Sequence, residues 1–149
     1  MVLAALLSAI HVIAFGLGLG SVFARGRALA GRLDAAGWKR LLAADTVWGI
    51  AAGLWIASGV ARLFYGGKHP DFYWSNGLLW VKLALFATVF ALEMTPMRTF
   101  MRARTALSRG QPMPQFPVER FRRINTIELV LVVVIVFVAS FMARGAWLY

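Results

Sequence analysis

Cysteine is absent from the sequence, which excludes disulfides, thiolate metal sites and thiol nucleophiles. Charge is scarce: 15% of the residues are Asp, Glu, Lys or Arg, against about 25% in a typical soluble domain. Acidic residues are the scarcest, 6 against 16 Lys and Arg. Histidine occurs only at His11 and His69, so any imidazole chemistry has two rings to draw on. The motifs of soluble catalysis are missing. There is no Gly-x-Ser-x-Gly elbow, no phosphate-binding loop and no His-Glu-x-x-His pair.

What the chain has is apolar residues, 60% of its 149, where soluble proteins carry roughly 45–50%. They gather in four runs, at about residues 2–24, 42–64, 77–97 and 124–143. Each is close to the roughly 20 residues that a helix needs to cross the hydrocarbon of a bilayer. The first run opens at Val2 with no basic segment before it and no small-residue cleavage site after it, so it reads as a retained span. The expected fold is therefore all-α: an integral membrane four-helix bundle, up-down-up-down, forming one transmembrane domain over residues 1–149.

The basic residues set the orientation. Twelve of the 16 lie on or beside the connections at about 25–41 and 98–123, while Arg62, Lys68 and Arg144 lie on the other side. The positive-inside rule then predicts both termini outside a bacterial inner (plasma) membrane. A net charge of +10 also suits nucleic acid, but basic residues set between apolar runs fit anionic lipid headgroups instead. The lipid bilayer is the expected partner, and nucleic acid is not. Gly16 with Gly20, and Gly49 with Gly53, form two GxxxG pairs suited to close helix contact. The connection "YGGKHPDFYWSNG" has the aromatics of an interfacial belt, and "QPMPQFP" reads as an extended proline stretch.

Ionisable groups at membrane depth tend to face a bundle interior. Five qualify: His11, Asp45, Lys82, Glu93 and Glu128. On this topology His11 lies roughly 13–15 Å below the outer surface and Lys82 roughly 7 Å, at 1.5 Å per residue, so both can reach one outer site. Asp45, Glu93 and Glu128 fall near the inner ends of their helices, close to Arg98, Arg122 and Arg123. This predicts an inner polar cluster of Asp45, Glu93, Glu128 and Arg98. Each residue also has a plainer reading. His11 can hydrogen-bond a neighbouring helix, Lys82 can snorkel to the interface, Asp45 can favour a helix N-terminus, and Glu128 can pair with Arg122 or Arg123. Neutral imidazole is a ligand for metals and haem iron. A lysine can coordinate when deprotonated, or pair with a haem propionate when charged. Trp48, Trp55, Trp74 and Trp80 can wall a flat cofactor.

Three segments, "HVIAFGLGLGSVFARGRAL", "LLAADTVWGIAAGLWIASGVAR" and "LLWVKLALFATVFALEMTPMRTF", resemble a bacterial family of predicted membrane proteins, domain-of-unknown-function family 2214. The likeness runs over nearly the whole chain and includes the Ala-Asp-x-x-Trp-Gly run at Asp45 and Trp48. More distantly, the first-helix histidine and "WVKL" are similar to four-span proteins of the HemJ type (protoporphyrinogen oxidase), and the histidine to the CopD type (copper resistance). That resemblance implies a haem b site with His11 as axial metal ligand, Lys82 as partner or second ligand and Trp48 nearby. It implies electron transfer or a HemJ-like porphyrinogen oxidation; separately, four short helices make a small bundle, for which a homodimer or a membrane redox partner is expected. The copper-resistance likeness implies copper, for which Met94, Met97 and Met101 recur at i, i+3 and i+7 as thioether donors. A proton or ion path through Asp45, Glu93 and Glu128 below His11, and a structural or assembly subunit without cofactor, are the other readings.

Overall fold

The computed structural model describes residues 2–66 and 69–147. Its elements are α1 (Val2–Ala30), α2 (Ala35–Tyr65), α3 (Pro70–Trp74), α4 (Gly77–Ser108) and α5 (Val118–Ala143). Helices α1, α2, α4 and α5 are long and apolar enough to cross a membrane; α3 is a single short turn between them. The architecture is the expected all-helical bundle, and no β-strand occurs among the described residues. Lys68, one of the charges used to orient the chain, lies outside the described residues.

All four long helices outrun the apolar runs, and local chemistry explains where they stop. The α1–α2 turn is tight because Asp34 caps α2, accepting a 2.8 Å bond from Gly37 N. Gly37 is required there: a Cβ would sit 2.0 Å from the Arg32 carbonyl oxygen. Asn76 caps α4 in the same way, accepting from Leu78 N at 2.9 Å. Helix α4 ends at a turn that uses Gly110 at φ +62°. The basic connections are thus partly helical, and α4 continues to Ser108 before the proline stretch begins. That stretch has no regular structure, but Met113 and Phe116 fold back onto the core.

Helix α1 packs on α2 and α5, and α5 packs on α4, whereas α2 and α4 barely touch. The core has three layers. At the end bearing the two long connections, Trp38, Leu41, Phe100 and Phe121 are buried together. In the middle lie Ala14, Val22, Trp48, Trp55, Val89, Val132 and Ile135. At the end bearing the termini, Tyr73, Leu79 and Met142 close the bundle. Many large apolar side chains face outward, among them Ile13, Ile50, Phe90 and Phe137, which suits a surface solvated by lipid.

The two GxxxG pairs do not serve the helix contacts expected of them. Gly16, Gly20, Gly49 and Gly53 all face open space. The close approaches are made by Gly18 against Trp48, Gly59 against His11 and Gly26 against Asn125. Helix contact in this bundle is set by which glycine faces a bulky partner.

Candidate functional site

Between α2 and α4, at the end bearing the termini, a cavity of about 460 Å³ opens. Every helix contributes to its wall. Phe15, Trp55, Phe72, Tyr73 and Phe86 give it an aromatic lining, and His11, Arg62 and Lys82 are its ionisable members. His11 and Lys82, expected at one outer site, both line this cavity. Arg62 was counted only as a topology charge, although its spacing of seven from Trp55 places both on one face of α2.

His11 is held in one pose. Its Nδ1 lies 2.9 Å from Ser58 Oγ on α2, its ring stands against Trp55 at 5.9 Å, and its Cε1 faces the Gly59 backbone. The Ser58 hydroxyl has a single hydrogen, and Leu54 O takes it at 2.6 Å. With that hydrogen on Leu54 O, Ser58 accepts from His11 in the Nδ1–H tautomer, which leaves Nε2 as the acceptor nitrogen of a neutral ring. The plainer reading of His11, a hydrogen bond to a neighbouring helix, holds as well.

Lys82 and Arg62 have no hydrogen-bond or ion-pair partner for their side chains among the described residues, and Arg62 Nε is buried without one. Two cations border an apolar cavity whose described lining contains no carboxylate. Trp48 does not belong to this cavity. It is buried in the middle layer and packs on Gly18 of α1, roughly 10 Å along α2 from Trp55 at 1.5 Å per residue. Its expected place at a cofactor is corrected accordingly. His69 is exposed and pairs with Asp71 at 2.9 Å, where it also starts α3. Among the described residues no three His, Asp or Glu side chains are arranged to hold a metal ion.

A second polar site lies between the middle layer and the basic end. Arg25, 1% exposed, is its centre. Its Nε donates to Asn125 Oδ1 at 2.8 Å. Its Nη1 donates to Glu93 at 2.7 Å and to Asp45 at 3.2 Å. Its Nη2 donates to Glu93 at 3.0 Å and also to Glu128. Arg104 holds the other oxygen of Asp45 at 2.7 Å. The expected carboxylates meet as predicted, but the expected cation does not. Arg98 is exposed and takes no part, because it lies on the opposite face of α4 from Glu93. Arg25 was read as a connection charge, yet α1 continues past it to Ala30. The signal was available: three acids at membrane depth need a cation at the same depth, and Arg25 directly follows the first apolar run.

Residues 3–146 match the family model of predicted membrane proteins designated DUF2214. No curated protein and no solved structure matches the chain.

Proposed function

The chain belongs to DUF2214, a family of predicted membrane proteins, and we propose that its cavity binds a membrane-soluble molecule with an apolar body and acidic ends. The observation that carries this reading is the pair Lys82 and Arg62, two unpartnered cations bordering an aromatic-lined cavity. Unpaired charge at membrane depth is costly, and an acid group on a ligand would offset it with charge-assisted hydrogen bonds. A volume near 460 Å³ lies within the roughly 300–1,000 Å³ of small-molecule sites. The weak contact between α2 and α4 leaves a lateral way in from the lipid.

Haem b is the member of this class that would use every ionisable side chain of the cavity. With Nδ1 held by Ser58, His11 Nε2 would be the nitrogen to hold the iron. Lys82 and Arg62 would take the propionates, and Trp55, Phe15 and Phe86 would exclude water from the faces of the ring. Haem bound there would supply one-electron chemistry, in electron transfer or porphyrinogen oxidation. With the basic end in the cytoplasm, as the charge bias favours, this cavity lies in the outer half of the membrane.

Absorption spectroscopy of detergent-purified protein expressed with ample haem tests the assignment. A Soret band that is lost in a folded His11→Ala variant is the expected result. Colourless protein that still binds a fluorescent fatty acid, more weakly after Lys82→Gln, would retain the acid site and reject haem. Failure to bind either probe would reject the site.

A further inference from the structure

The Arg25 cluster carries a charge imbalance that its geometry does not resolve. Five ionisable groups face one another there: Arg25 from α1, Asp45 from α2, Glu93 and Arg104 from α4, and Glu128 from α5. The remaining polar partners, Asn125 from α5 and Thr46 from α2, are neutral. Three carboxyls therefore meet two guanidiniums. One excess negative charge inside a bundle is costly unless something neutralises it.

The deficit can be located. Both oxygens of Asp45 are bonded, one to each arginine. Both oxygens of Glu93 accept from Arg25. Glu128 has no exposed surface, and although its Oε2 accepts from Arg25, its Oε1 is buried with no partner. Glu93 and Glu128 also take the same donor, Arg25 Nη2, which sets two carboxyls side by side on one nitrogen. A buried carboxylate oxygen without a donor is rare, whereas a carboxylic acid at that position is itself a donor. A metal ion is the weaker answer, because the other carboxyl oxygens are already held by guanidinium groups and no metal-holding arrangement occurs among the described residues.

We propose that the Glu93–Glu128 pair, mounted on Arg25, is a proton-binding site that holds one exchangeable proton inside the membrane-spanning bundle. The proton belongs to the pair and not to either carboxyl alone, as for other closely coupled acids. Its bound form leaves three formal negative charges reduced to two, matching Arg25 and Arg104. The site is separate from the cavity and does not depend on what the cavity binds.

Infrared spectroscopy of the full-length protein in lipid nanodiscs, in H2O and in D2O, tests this directly. The expected result at neutral pH is one carbonyl-stretch band of a protonated carboxylic acid that shifts in D2O. The band should vanish in Glu128→Gln or Glu93→Gln, and Glu128→Gln should keep wild-type thermal stability because it replaces a neutral acid by a neutral isostere. A wild-type spectrum without such a band overturns the proposal and requires no variant to fold. A band that survives both single substitutions overturns it too.

Discussion

His11 and Ser58 are joined across the α1–α2 contact by a 2.9 Å hydrogen bond, and Ser58 also reaches the carbonyls of Leu54 and Trp55 on its own helix. When Ser58 donates to Leu54 O, at 2.6 Å the shorter of those two bonds, the imidazole donates to Ser58. Replacing Ser58 by Ala removes the acceptor and leaves a half-buried N–H without its partner. The expected loss is about 1–3 kcal/mol of stability, read as a lower unfolding temperature in detergent. Ser58→Thr keeps the hydroxyl and should restore most of it.

The cations of the cavity should act on ligand affinity far more than on folding. Among the described residues neither Lys82 nor Arg62 has a side-chain partner to lose. Lys82→Gln and Arg62→Gln should each weaken the binding of an apolar acid by about 10- to 100-fold, the size of one charge-assisted hydrogen bond. Titration with a fluorescent fatty acid measures it. Unchanged stability of both variants is part of the expectation.

Arginines in one chain should differ sharply in importance. Arg25→Gln strips the central cation from three carboxyls, two of them buried, and should cost about 3–5 kcal/mol, as for breaking a buried ion pair. Arg104 is 36% exposed and pairs with one carboxylate, Asp45, besides its bonds to Thr46 and Leu42 O, so Arg104→Gln should cost about 1 kcal/mol or less. Arg98→Gln should change nothing measurable. Chemical denaturation of the three variants side by side orders them.

Two classes of glycine can be told apart by the same substitution. A Cβ at Gly26 would lie 2.7 Å from Asn125 Nδ2, and that amide is pinned to Val22 O at 3.1 Å and to Arg25. Gly26→Ala should therefore destabilise the bundle through the Arg25 cluster. Gly16→Ala and Gly20→Ala meet open space and should be neutral or stabilising by about 0.5–1 kcal/mol, the helix-propensity difference. Thermal scans in detergent distinguish the two outcomes.

Much of this molecule was legible in its sequence because membrane helices follow from length and apolarity alone. The joint placement of His11 and Lys82, and the meeting of Asp45, Glu93 and Glu128, followed from depth along each helix. Depth does not give azimuth, and the misses share that cause. Arg98 lies at a suitable depth but on the wrong face of α4. Trp48 points into the core one layer away from the cavity. Gly16 and Gly20 have the spacing of a contact motif and look outward. Arg25 was hidden differently: a basic residue just after an apolar run counts as a topology signal, and only the continuation of α1 to Ala30 carries it inside.

The bonds of Arg25 to Asn125 and Glu128 span 100 and 103 residues of sequence. A chain inserted from its N-terminus thus brings a guanidinium into place long before its last two partners are made. Until α5 arrives, Arg25 Nε lacks its Asn125 acceptor and Nη2 lacks Glu128, so the final helix acts as the keystone of assembly. Truncation before Val118 should leave the earlier helices inserted but unlocked, open to the quality-control proteases that survey unfinished membrane proteins.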